Sequence, residues 1–100
     1  MEIKNLIRGN EVFSQFIGRL DTAASQEVAA DMESLMANAD KVIEIDCSQL
    51  TFISSSGLRL FLALRKQSIA KGGKVVLTGM TPDVRQVFTI TGFSSLFEFK

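Results

Sequence analysis

Apolar residues along the chain follow two rhythms, one of period two and one of helical period, and the places where they change divide the chain into elements. Glu2 to Ile7 reads as a strand, Gly9-Asn10 as a turn, and Glu11 to Ile17 as a second strand, which together predict a hairpin. Val12 and Phe16 fall on one face of the second strand and Phe13 and Ile17 on the other, so this strand is expected to be covered on both sides. Gly18-Arg19-Leu20-Asp21-Thr22 ends it, with Asp21 or Thr22 placed to cap a helix. From Ala23 to about Ala37, Ala24, Val28, Met32, Leu35 and Met36 keep helical spacing while Glu27, Asp31 and Glu33 stay toward water.

After Asn38-Ala39-Asp40 the pattern turns short and β-branched. Lys41 to Asp46 reads as a central strand that Asp46 ends, and Leu50, Phe52 and Ile53 are expected to pin the following loop onto the core. A second helix is expected from about Gly57 to Ala70, stopped by Gly72-Gly73, with Leu58, Phe61, Leu62 and Ile69 inward and Arg65 snorkelling from the edge of that stripe. Arg59, Leu60, Ala63, Lys66 and Gln67 face the other way. Leu60 and Ala63 are apolar where a solvent face should be polar, a hint of a partner surface. Lys74 to Thr78 is another central strand. Thr81 caps a third helix with Pro82 in its first position, Val84, Val87 and Phe88 form its inner face, Gly92 ends it, and Leu96 to Phe99 is a last strand.

The order β-β-α-β-α-β-α-β predicts an α/β domain built on a mixed, largely parallel sheet of four or five strands with about three helices. Function in such sheets gathers where strands end and helices begin. Asp21 and the stretch Ser54 to Gly57 both occupy strand-to-helix turns, so they are expected at one end of the sheet.

Composition narrows the chemistry. With 100 residues, 46% of them hydrophobic, the chain is one domain that can bury a core without staples. Eleven basic and eleven acidic residues give zero net charge, which argues against a nucleic-acid or anionic-membrane surface. Histidine is absent and Cys47 is the only cysteine, so a Ser-His-Asp relay, a zinc site and an internal disulfide are all out of reach. No catalytic residues, metal or cofactor are expected: there is no Gly-x-x-x-x-Gly-Lys-Ser/Thr nucleotide loop, and the first strand leads into Arg8-Gly9-Asn10 rather than an acidic receiver cluster. No apolar leader or membrane-length run is visible, and the lone cysteine fits a reduced, cytoplasmic setting.

What remains is the serine run. A hydroxyl at a helix start is either a cap, accepting a bond from an orphan backbone N–H, or a place where an added phosphate meets those same N–H groups. Residue types alone leave both roles open for Ser54 and Ser55.

Four fragments in order then carry a resemblance: Gly18-Arg19-Leu20-Asp21 opening a helix, Ile45-Asp46-Cys47-Ser48 after a central strand, Phe52-Ile53-Ser54-Ser55-Ser56-Gly57-Leu58 opening the next helix, and Thr91-Gly92-Phe93 near the end. Together they resemble the STAS domain, and a chain of this size resembles the bacterial anti-sigma factor antagonists of that family. The resemblance implies a protein that binds an anti-sigma factor, often itself an ATP-dependent serine kinase, and so releases a sigma factor. Phosphorylation on the first serine of an Asp-Ser-Ser-Gly motif ends binding and a phosphatase restores it. Here the acceptor falls on Ser55, with Ser56 and Gly57 beside it, Ser54 in place of the family's aspartate, and Asp21 at the matching acidic position. Asp21, Ser54, Ser56, Gly57, Arg59, Leu60 and Ala63 are the expected partner contacts. The chain stops at Lys100 where the family usually carries a further helix, which is expected to leave apolar surface for a partner or a homodimer. The competing expectation is a STAS scaffold or subunit, in a stress-signalling or transporter assembly, with no phosphorylation cycle.

Overall fold

Gly9 at φ 56° followed by Asn10 at negative φ matches the glycine-first order of a type II′ turn. It joins β1 (Glu2–Arg8) to β2 (Glu11–Leu20) antiparallel in the computed structural model, which describes residues 1–100. Then follow α1 (Thr22–Glu27), α2 (Ala29–Ala37), β3 (Val42–Ile53), α3 (Ser55–Lys71), β4 (Lys74–Thr78), α4 (Pro82–Ile90), a 3-10 turn at Ser94–Leu96 and β5 (Glu98–Phe99). The sheet order is β1-β2-β3-β4-β5, with β2 to β5 parallel. The expected α/β class and mixed sheet are present, with four helices rather than three.

Each parallel strand lies beside its neighbour in sequence, so crossovers of the usual hand carry all their helices to one face. The core lies there. Val12, Phe16, Ile43, Ile45 and Leu77 of the sheet meet Val28, Leu35, Leu58, Phe61, Val84 and Phe88 of the helical layer in one cluster. Phe61 is its hub, stacked on Phe16 with ring centroids 5.2 Å apart and edge-on to Phe88 at 5.9 Å. No helix covers the opposite face, which corrects the expectation that β2 is covered on both sides: Phe13 is 38% exposed and Ile17 only half-buried.

Three further expectations are corrected. The first helix breaks at Val28 (φ −92°, ψ 11°), following the turn in which the Ser25 hydroxyl bonds back to the Asp21 carbonyl at 2.9 Å, a contact that bends helices. In α3 the inward line runs Leu58, Phe61, Leu64, Ser68. Steps of three and four residues from Phe61 reach Ser68 and leave Ile69, one position on, 61% exposed. The last strand keeps only Glu98–Phe99, because Ser94–Leu96 coils into the 3-10 turn.

A fifth correction bears on the site. β2 runs on to Leu20 and β3 does not end at Asp46 but continues to Ile53. Between Gln15 and Ile17, and again between Gly18 and Arg19, one extra residue of β3 is accommodated, and its burial changes from alternation to steps of three. Asp46 secures the first bulge. Its Oδ1 accepts the Ser48 N–H at 2.9 Å and its Oδ2 accepts a bond from the Gln15 amide at 3.2 Å. The bonds from Ser48, backbone first, hold the carboxyl below its ordinary pKa, against a smaller opposing effect of burial. Next to it, Cys47 is fully buried, and burial together with the Asp46 charge pushes its thiol up to about 12, so it is an inert core residue.

A depressed folded-state pKa stabilises above the unfolded pKa, and the contribution disappears as pH falls through the folded value. The stability gap between wild type and Asp46→Asn, measured by urea unfolding, is therefore expected to be widest at neutral pH and to close in acid.

Candidate functional site

β2 and β3 finish side by side. Leu20 pairs with Ile53, and the Ser54 N–H donates to the Leu20 carbonyl at 2.9 Å. One residue beyond that pairing, each strand turns into a helix, and the first residues past the ends are Asp21 and Ser54. The structure thus brings together the two strand-to-helix turns that the sequence placed at one end of the sheet.

Both are N-caps. Asp21 is extended (φ −84°, ψ −175°) and its Oδ1 accepts the Ala24 N–H at 2.8 Å. Ser54 is extended too (φ −89°, ψ 172°), and its Oγ accepts the Gly57 N–H at 3.1 Å. Aspartate and serine are near-equal caps, so Ser54 does the backbone work an aspartate does there without the charge. Capping therefore belongs to Ser54 and not to Ser55.

Ser55 opens α3. It is exposed, and its hydroxyl enters no side-chain hydrogen bond, in contrast to the Ser54 cap. The N–H groups of Ser55 and Ser56 have no partner inside the helix, since the first turn always leaves its leading donors free. Ser56 is half-buried and Gly57 buried. A Cβ on Gly57 would lie 2.7 Å from Leu20 Cγ and 2.9 Å from the Leu20 carbonyl oxygen. Only glycine lets α3 start this close to the end of β2, which is what holds the Ser55 turn beside Asp21.

Along α3, Arg59 and Ala63 follow Ser55 at four-residue intervals and all three are exposed, so they form one outward stripe. Helical side chains lean toward the N-terminus, which directs Arg59 back over Ser55. Leu60 does not belong to this stripe. It is half-buried against the core, so the apolar patch expected of Leu60 and Ala63 shrinks to Ala63.

The extended β2 and β3 add two residues that the sequence pattern gave no reason to place here. Arg19 pairs with Phe52 across the strands, its guanidinium 4.3 Å above the Phe52 ring, and Phe52 is 37% exposed rather than packed into the core. The pairing depends on the bulged register, which no local pattern encodes. No cluster of three or more metal-ligating side chains occurs, and no helix is long and apolar enough to cross a membrane.

Known proteins share this fold. A family model described as STAS domain matches residues 3–100. The chain is 34% identical over 80 residues to Bordetella bronchiseptica BtrV, a protein provisionally named an anti-sigma factor antagonist, a match covering 80% of this chain and 69% of BtrV. In fold it is similar to the anti-sigma factor antagonist SpoIIAA in its unphosphorylated form, with a TM-score of 0.79 at 21% identity over 99% of this chain and 88% of that one. It is also similar to the Bacillus cell fate determinant SpoIIAA in its phosphorylated form, with a TM-score of 0.73 at 22% identity over 99% and 91%.

The division of labour in the serine run has a stability signature. In urea unfolding, Ser54→Ala is expected to cost about 1 kcal/mol and Gly57→Ala about 1–3 kcal/mol. Ser55→Ala is expected to stay within about 0.5 kcal/mol of wild type.

Proposed function

The chain belongs to the STAS domain family, and on that premise we propose that it is an anti-sigma factor antagonist, non-enzymatic and cytoplasmic, whose docking surface is switched by phosphorylation of Ser55. The observation that carries the proposal is that the one serine at the matching position is exposed and free of capping duty, while its neighbour Ser54 carries the cap.

In the unmodified state the outward stripe of Ser55, Arg59 and Ala63, with Ser56, Gly57 and Asp21 shaping the turn and Ser54 fixing the helix start, meets the anti-sigma factor. Phe52 and Arg19 extend that surface. The anti-sigma factor, acting as a serine kinase, transfers the γ-phosphoryl group of ATP to Ser55 Oγ, with ADP and the hydroxyl proton released. The product carries roughly 1.5 to 2 negative charges near neutral pH. The free N–H groups at the helix start, the helix dipole and Arg59 tolerate that charge, so the fold persists. The partner does not tolerate it, because docking over the turn has to desolvate the phosphate and press it against whatever carboxylate faces it. A phosphatase returns the hydroxyl by hydrolysis. Affinity is switched by local electrostatics, with no change of shape required.

The expected outcome of a pull-down is capture of an anti-sigma factor kinase by wild type and Ser55→Ala. Ser55→Asp is expected to bind at least roughly ten-fold more weakly. Incubation with that kinase and ATP is expected to add one phosphate to wild type by intact mass and none to Ser55→Ala. Undiminished binding by Ser55→Asp together with no incorporation would assign the chain to a scaffold without a phosphorylation cycle.

A further inference from the structure

β1 is the outer strand of the sheet, and everything along it except Ile3 is exposed, including Leu6 at 51% and Ile7 at 49%. We propose that this edge pairs with the β1 of a second copy of the chain, antiparallel about a two-fold axis at Asn5, joining two sheets into one.

The backbone is set up for it. A two-residue hairpin closes on a pair, Arg8 and Glu11, that exchanges both of its hydrogen bonds. Alternation from that pair turns the polar groups of Leu6, Lys4 and Glu2 toward β2 and leaves those of Ile3, Asn5 and Ile7 pointing outward. The next strand agrees with this phase, since the Val42 N–H donates to the Asn10 carbonyl at 3.0 Å on the far side of β2. Three residues therefore offer unpaired donors and acceptors along an edge that no helix or loop covers.

The side chains choose the register. For a two-fold axis perpendicular to the sheet, opposed residues share a face, so the axis passes through a residue. Centred on Asn5, Glu2 opposes Arg8 of the second copy and Ile3 opposes its Ile7, each contact occurring twice. The half-exposed Ile7 gains an apolar partner, and neither Glu2 nor Arg8 is engaged in an ion pair within its own chain. Centred one residue earlier, on Lys4, two lysines meet at the axis. Centred on Leu6, Lys4 opposes Arg8 twice. Lys4 meets a like charge in both other registers, whereas in this one it opposes Leu6 and the charges that meet are Glu2 and Arg8. Such a contact is isologous and self-limiting, because each copy has a single β1. No residue of α3's outward stripe enters this seam, which is built from β1 alone, so docking through Ser55 is not required for it.

Sedimentation equilibrium over a dilution series tests the proposal. Wild type is expected to show a reversible dimer. Glu2→Arg and Arg8→Glu are each expected to associate roughly ten-fold more weakly. Mixed together they should form a heterodimer, because every charge pair at the seam is again opposite. Asn5→Pro, which removes only an outward N–H, is expected to be monomeric with an unchanged circular dichroism spectrum. A wild type that stays monomeric at every concentration, or a dimer indifferent to these three substitutions, would overturn the proposal.

Discussion

The parallel pairing of β2 with β3 is the contact on which the rest of the molecule is hung. It carries β3 past Asp46, through two bulges, to Ile53, and it ends with the Ser54 N–H on the Leu20 carbonyl. Everything at that end of the seam, the two strand-to-helix turns and the helices they cap, inherits its position from where the ladder stops. The close approach at Gly57 is part of the same constraint, since the first turn of α3 rests directly on Leu20. A longer or shorter ladder would put Asp21 and Ser55 in different places even with every local motif intact.

Much of the fold was legible because local signals agree with it. Gly9-Asn10, Thr81-Pro82 and Gly72 mark turns and caps by backbone chemistry, and all three act as their residue types imply. The clusters of Val and Ile in β3 and β4 mark central strands for the same reason. The misreadings share a different cause. Asp46 looks like a strand end because a polar residue interrupts an apolar run, yet it is bonded into a bulge that lets the strand continue. Phe13 looks like a core residue because it is aromatic, yet the crossover geometry leaves its face without a helix. Bulges and layer count are decided by tertiary pairing, and neither has a signature within a few residues of sequence.

The site shows the same division. Its composition was visible, and so was its place at a strand-to-helix turn. Which serine caps and which is free was not, because the two differ only in backbone angle by one residue. Ser54 is extended and Ser55 begins the helix, and that single step sends one hydroxyl back to the Gly57 N–H and the other into solvent. In the proposed switch, an anion at such a place changes affinity without rebuilding the core. The donors that would receive the anion are backbone groups already held by the helix, so there is little for the fold to reorganise.

Cys47 has a practical consequence of another kind. The sole thiol sits in the bulged centre of β3 with no exposure, so a reagent in solution reaches it only when the sheet comes apart. The rate at which it is alkylated is thus a built-in clock for opening of the β2–β3 seam, readable in a cell extract without adding any probe to the chain.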